Sequence, residues 1–288
     1  MLSVFTPVFN RAHTIGNLYE SLCRQTDKDF EWIVVDDGSS DNIDDVMKGF
    51  IEEGKMEILY IKQPNGGKHR AINRGVREAR GEYFFIVDSD DYVSDDAVEW
   101  IRSHVDEIKG EENFAGISGI RVNPDGTKME GDQPFESIDA DSGEIRSKYK
   151  IRGELAEVYK TSIMRRFPFP EIPGERFCSE GLVWSRIARS GYKLRYFYKP
   201  LIVCEYRPDG LTMSRVKNRM NNPEYSMLLY AETVKNPAKS IKQRLKAGLL
   251  FWRYSKNSRR SFFSKAKDIP WPYILLVPFG VMMRCLPK

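Results

Sequence analysis

The stretch Glu82-Tyr-Phe-Phe-Ile-Val87 constrains this chain most: it is almost wholly apolar and runs straight into Asp88-Ser89-Asp90-Asp91. A strand without polar alternation must be covered on both faces, as central strands of helix-flanked parallel sheets are. Three carboxylates in four residues then stand at its carboxyl end, where open α/β sheets bind ligands. The preceding sequence follows the same rhythm. Leu2–Phe5, Glu31–Val35 and Met56–Ile61 read as strands, each followed by a polar cluster and a helical pattern. Ile15, Leu18, Tyr19 and Leu22 mark the first helix, Asp44–Ile51 the second, and Ala71, Ile72, Gly75, Val76 and Ala79 the third, with Gly81 as its stop. Ser94 is placed to cap a fourth helix, with Asp95 and Asp96 in its first turn. The expected fold class is α/β, a Rossmann-like, mostly parallel sheet flanked by helices.

After this the text becomes irregular. Ile117–Val122 reads as a strand and Asp125–Arg152 as one long loop, while Ser179–Ser190 and Leu201–Tyr206 restore a helix and a strand. Charge divides the chain: residues 235–288 carry 13 Lys/Arg against one acid, leaving 32 against 40 before them. Two domains follow, a catalytic domain over 1–234 and a basic extension over 235–288. In the extension Ile241, Leu245, Leu249 and Trp252 lie at helical spacing among Lys242, Arg244, Lys246 and Arg253. Ile269–Met283 is apolar but short and contains Pro270, Pro272 and Pro278, so it makes a poor spanning helix. Two readings stay open for this tail: binding to an anionic membrane surface, or packing as a helix and strand on the catalytic domain.

Four polar clusters follow four different strands, so one sheet edge can bring them together. They are Thr6-Pro7-Val8-Phe9-Asn10-Arg11, Asp36-Asp37-Gly38-Ser39, Asn65-Gly66-Gly67-Lys68 and Asp88-Ser89-Asp90-Asp91. The hard oxygens of the last suit Mg²⁺ or Mn²⁺ held by one or two carboxylates, leaving positions for substrate phosphates; they equally suit a turn that caps a helix. Asp36-Asp37 can offer a carboxylate to a nucleobase edge or form an Asx turn. Phe9 can stack on a base or fill the core, Arg11 can reach phosphate, and Asn65-Gly66-Gly67-Lys68 places glycines and a cation before a helix N-terminus.

Other classes are excluded by what stands at these positions. The first strand is not followed by Gly-x-Gly-x-x-Gly, and no Gly-x-x-x-x-Gly-Lys-Ser/Thr occurs, which removes dinucleotide dehydrogenases and P-loop enzymes. Basic charge confined to the tail argues against nucleic acid. Cys23, Cys178, Cys204 and Cys285 show neither zinc nor disulfide spacing, and His13, His69 and His104 are assigned no chemistry. A reducing, cytoplasmic location is expected, without a secretion signal and with the tail able to place the protein on the inner face of the cell membrane.

The runs "SVFTPVFNRAHTIGNLYESLCRQTDKDFEWIVVDDGSSD" and "NGGKHRAINRGVREARGEYFFIVDSDD", in this order and spacing, resemble the inverting family-two glycosyltransferases of the GT-A fold over roughly Leu2–Tyr206. The resemblance implies a nucleotide-diphosphate sugar donor, here a UDP-sugar, and a saccharide or lipid-linked acceptor in glycan biosynthesis. It implies a donor site of Pro7, Phe9, Asn10, Arg11, Asp37, Asn65, Gly66, Lys68, Asp88, Ser89 and Asp90. In it Asp37 reads the base, Asp88, Asp90 and Asp91 form the Asp-x-Asp region, and Asp90 with Asp91 hold Mn²⁺ or Mg²⁺. The family's base usually lies in a Glu-Asp pair six residues before an arginine; measured back from Arg186, Glu180 takes the Asp place and Ser179 the Glu place. Glu180 is therefore the expected base, one carboxylate where the family has two, and an acid favoured by a helix N-terminus otherwise. Arg207 is a weaker carry-over, as a diphosphate contact. Two rivals stand beside this reading: a membrane-bound nucleotide-sugar scaffold that has lost turnover, and a sugar nucleotidyltransferase, whose glycine-rich, Arg-containing loop is missing after the first strand.

Overall fold

A computed structural model of the protein describes residues 1–129, 134–204 and 215–283. Its elements run β1 Leu2–Val8, α1 Ile15–Cys23, β2 Phe30–Asp36, α2 Ile43–Glu53, β3 Glu57–Lys62, α3 Lys68–Glu78, β4 Tyr83–Ile86, β5 Asp91–Val93 and α4 Ala97–Val105. After a 3-10 turn come β6 Phe114–Val122, β7 Ser137–Ala140, α5 Glu144–Ser147, β8 Leu155–Lys160, α6 Thr161–Arg166, α7 Glu180–Arg189 and β9 Lys193–Cys204. The helices α8 Arg215–Asn221, α9 Pro223–Lys235, α10 Ile241–Ser255 and α11 Phe262–Ala266 follow, then a 3-10 helix Trp271–Leu276 and α12 Val277–Met282.

Two compact units are distinguished: residues 1–169 with 183–207, and residues 170–182 with 208–288. In the first, the strand order is β3-β2-β1-β4-β8-β6-β9-β5, with β7 on β9. The half built by residues 1–86 is parallel throughout, as expected for strands joined by helical crossovers. Beyond β4 every ladder is antiparallel except β6–β9, so the sheet is mixed. Winding reverses between β1 and β4, which puts the carboxyl ends of those strands at the ligand-binding switch point. All residues of β1, β2 and β4 are buried, and Trp32, Phe5, Phe84 and Phe85 fill the space between sheet and helices.

Several local expectations change. Gly81 does not end α3, which stops at Glu78; its backbone instead presses on β1, where a Cβ would lie 2.5 Å from Ser3 N. Ser94 does not cap α4; Asp96 is at that position, and Ser94 Oγ donates to Pro200 O. The segment expected as one loop contains β7 and α5, the latter capped by Asp141, whose Oδ1 accepts from Gly143 N and Glu144 N at 2.6 and 2.9 Å. Four-residue elements are too short to show a period. Glu205 and Tyr206, expected to finish the last strand, lie outside the described residues.

Glu31 ties the amino ends of these strands together. Its Oε1 accepts from Ser3 Oγ (2.6 Å), Arg80 N (2.7 Å) and Gly81 N (3.2 Å), and its Oε2 from Arg80 Nε (2.9 Å). Burial alone would raise its pKa, but the hydrogen bonds from Ser3 and Arg80 and the charge of Arg80 outweigh it and hold the carboxyl below the usual range. A depressed folded pKa means stability present above the unfolded value and lost as pH falls through the folded one. Glu31→Gln is expected to cost about 2 kcal/mol near neutral pH, since hydrogen bonds to a charged group are involved. In urea unfolding the gap between wild type and variant should narrow as pH drops below about 4; an equal gap at both pH values would refute the ionised role.

The second unit has its own core, in which Met227, Tyr230, Ala231 and Val234 of α9 meet Ala247, Phe251 and Trp252 of α10. A boundary after residue 234 would cut through this helix pair, so the helical unit begins earlier than charge alone suggests. Residues 170–182 belong to it. The tail's apolar segment is helical, not a strand.

Candidate active site

The four polar clusters of the first unit form one hydrogen-bonded network at the carboxyl ends of β1 to β4. Asn10 adopts φ 54°, a left-handed conformation that asparagine tolerates, and its Oδ1 accepts from Ser40 N at 2.8 Å while its own N–H donates to Ser39 Oγ at 2.8 Å. Ala12 N donates to Asp41 Oδ2 at 2.9 Å. These bonds join the loops after β1 and β2. Between them Gly38 takes φ 80° and passes so close to the β3–α3 loop that a Cβ would lie 2.7 Å from Asn65 N. Only glycine satisfies both demands.

Asp37 builds the next joint. Its carboxylate, on a residue only 3% exposed, accepts from Gly66 N (2.9 Å), Gly67 N (2.6 Å) and Gln63 Nε2 (2.7 Å), and Asn65 Nδ2 donates to its carbonyl at 2.8 Å. The side chain expected to face a base thus shapes the loop that opens α3, placing its charge by that helix's N-terminus. Asp36 is used similarly: its Oδ1 accepts from Ser39 N at 2.9 Å.

The acidic cluster is divided by its cationic neighbours. Lys68 Nζ lies 2.6 Å from Asp88 Oδ1; Arg121 Nη1 lies 2.8 Å from Asp91 Oδ2 and 3.7 Å from Asp88 Oδ2. Burial works against the charged form of Asp88, but Lys68 and Arg121 overcome it and hold the carboxyl below its ordinary range. For Asp91 burial dominates, and the charges of Asp88 and Asp90 add to it, so its pKa is raised despite Arg121. Arg121 is itself buried, with Nε donating to Leu155 O at 3.2 Å. Asp90 differs from them in its ion pairing: its Oδ2 stands 4.0 Å from Arg11 Nη2, the outer limit of an ion pair. Thr14 Oγ1 donates to Ser89 O at 2.9 Å, fixing the turn between them.

This geometry sorts the expected metal ligands. Among the described residues no three His, Cys, Asp or Glu side chains cluster as a ready-made cage. Asp91 opens β5 and is buried, with Oδ2 2.8 Å from Arg121 Nη1, so one of its oxygens is already paired with a cation. The hard carboxylate oxygens of Asp88, Asp90 and Asp91 fit the chemistry of a Mg²⁺- or Mn²⁺-type ion held by few carboxylates.

Of the other expected residues, Phe9 is half exposed beside Asn10, while Pro7 lies buried in β1, paired with Val35. Arg207 lies outside the described residues. Sequence reasoning missed Arg121, Gln63 and Thr14. Arg121 had a signal, a cation inside the apolar run Phe114–Val122, which demands a buried acid.

Glu180 opens α7 and belongs to the second unit. Its segment is pinned there. Glu175 accepts from Glu224 N and Tyr225 N at 2.7 and 2.8 Å, and Asn222 Oδ1 accepts from Arg176 N and Phe177 N at 2.7 and 3.1 Å. Tyr225 Oη donates to Pro170 O at 2.7 Å and accepts from Ile172 N at 2.8 Å.

A parallel half-sheet with its polar loops at the switch point, continued by mixed strands, defines a GT-A-type glycosyltransferase fold. The chain belongs to glycosyl transferase family 2, whose model matches residues 3–172. It is 27% identical over 227 residues to the GalNAc(5)-diNAcBac-PP-undecaprenol beta-1,3-glucosyltransferase of Campylobacter jejuni, covering 75% of this chain and 69% of that one. Glycosyltransferase GlyG of Streptococcus pneumoniae is 34% identical over 108 residues, 37% of this chain and 36% of its own. The match thus spans about a third of that relative's length. Among solved structures, S. aureus TarS 1-349 in complex with UDP-GlcNAc superposes with a TM-score of 0.67 at 17% identity, over 96% of this chain and 83% of that one.

Proposed function

We propose that this protein is an inverting glycosyltransferase that moves a sugar from a UDP-linked donor to a saccharide or lipid-linked acceptor, at the cytoplasmic side of a membrane. The observation that carries this reading is the single network joining the loops after β1, β2, β3 and β4, with Lys68, Arg11 and Asp90 around one corner. The family membership supports it, as do the glucosyltransferase name of the Campylobacter relative and the UDP-GlcNAc bound to TarS.

In this reading Phe9 offers a stacking face to the base, and Asp37 acts indirectly by setting the Asn65–Gly67 loop around it. Lys68 and Arg11 bring positive charge to the donor diphosphate. A divalent ion held by Asp90 would, when bound, neutralise charge on that diphosphate. Glu180 takes the proton from the acceptor hydroxyl as the oxygen forms its bond to the anomeric carbon. The bond from that carbon to the diphosphate breaks, its electron pair leaving with the nucleotide, so configuration inverts without a covalent enzyme intermediate.

A panel of UDP- and GDP-sugars incubated with the full chain and Mn²⁺, without acceptor, tests the reading. Slow release of UDP from at least one UDP-sugar is expected. The absence of both hydrolysis and calorimetric binding for every nucleotide sugar in the panel would overturn it.

A further inference from the structure

The second unit carries an apolar surface that its own core does not use. Residues 269–283 contain no charged side chain and form the 3-10 helix Trp271–Leu276 and α12. One side of this stretch packs on α10. A Cβ at Gly248 would lie 2.8 Å from both Tyr273 and Leu276, and one at Gly280 would lie 2.6 Å from Trp252 Cβ. Trp252 Nε1 donates to Tyr273 O at 2.8 Å, fastening the two pieces. Away from this contact stand Trp271 and Leu275 of the 3-10 helix and Phe279 and Met282 of α12, exposed by 74, 69, 65 and 77%. Phe263, 78% exposed, and Phe262, which stacks on Trp252 with ring centroids 5.7 Å apart, extend the apolar exposure into α11.

A helix that is apolar on both sides is normally covered on both. What covers the outer side here is indicated by charge. Lys242, Lys246, Lys256, Arg259 and Lys267 are exposed in the same unit, and the only acid between residues 235 and 288, Asp268, is paired with Arg260 at 2.7 Å. Large exposed aromatic and aliphatic side chains in a unit rich in exposed cations, with Lys256 Nζ 2.9 Å from Val281 O of this segment, match the interface of an anionic bilayer, where the rings sit at headgroup level and the cations meet lipid phosphate. A second copy is a poorer match, because a two-fold contact would set like charges against each other. No helix of the described residues is long and apolar enough to cross a membrane, so the contact is with the surface.

We propose that Trp271, Leu275, Phe279 and Met282, with Phe262 and Phe263, form a docking surface for an anionic lipid bilayer. The proposal does not depend on the donor reading, since the contact needs no substrate and is measured without one.

The test is flotation of the full chain with vesicles of phosphatidylcholine alone or with about a third phosphatidylglycerol. Wild type should float with the anionic vesicles, remain below with the neutral ones, and be released at about 1 M salt. The triple variant Trp271→Ser, Leu275→Ser, Phe279→Ser should lose binding by about tenfold or more, with unchanged thermal unfolding because these side chains lie outside the core. Arg259→Glu with Lys267→Glu should remove the preference for anionic lipid, since both side chains are exposed. The proposal is overturned if wild type floats with neither vesicle, or if the triple variant floats like wild type. It is also overturned if sedimentation shows a wild-type dimer that the triple variant loses, with no vesicle binding by either.

Discussion

Asp90→Ala is expected to lower turnover of a UDP-sugar by about a thousandfold and to abolish the difference in UDP affinity measured with and without Mn²⁺. The magnitude follows from charge stabilisation worth several kcal/mol at the leaving diphosphate. The choice among the three acids rests on their partners. Asp88 is paired with Lys68 at 2.6 Å and Asp91 is buried against Arg121 at 2.8 Å, whereas the cation beside Asp90 stands at 4.0 Å. Removing the Asp90 carboxylate should therefore leave the melting temperature nearly unchanged. Asp91→Asn, by contrast, leaves Arg121 short of a buried counter-ion and should cost about 3 kcal/mol of stability. Calorimetry of UDP binding together with thermal unfolding separates the two. If Asp90→Ala retained Mn²⁺-dependent affinity, or Asp91→Asn lost it without losing stability, the assignment of the ion to Asp90 would be wrong.

The parallel half of the sheet was legible because each of its strands is a continuous apolar run that stops at a polar cluster. That pattern also showed that the polar clusters meet at one sheet edge: burial forces polar residues to the strand ends, and the switch point gathers those ends. The internal roles within the site were not legible. Sequence does not show that Gly66 N and Gly67 N, 29 and 30 residues away, donate to the Asp37 carboxylate and so tie it to the loop that opens α3. Arg121 and Asp91 are separated by 30 residues, and no local pattern pairs them. Short elements such as β7 and α5 owe their form to pairing with β9 and to the Asp141 cap, which leave no period in the sequence. The helical unit was misdrawn for a related reason. Charge marks a change of surface at Lys235, but packing of α9 on α10 decides where a core begins.

Glu180→Gln is expected to reduce donor turnover by about a hundredfold to ten-thousandfold while leaving UDP affinity within about twofold of wild type. Glutamine matches glutamate in size and cannot accept the proton, so the loss should fall on kcat and not on binding. Donor hydrolysis, in which water stands in for the acceptor, reads this without knowledge of the acceptor. The segment carrying Glu180 is held by Glu175, Asn222 and Tyr225, and a thermal melt of Glu180→Gln within a few degrees of wild type checks that the loss is not one of folding. Glu180→Asp separates chemistry from structure: it should keep part of the turnover that Glu180→Gln loses, since a carboxylate remains but sits one methylene short. Turnover by Glu180→Gln at the wild-type rate would move the base elsewhere. Donor binding by wild type with no transfer or hydrolysis at any pH would mean that Ser179, standing where the family has its second acid, marks a site that binds nucleotide sugar without turning it over.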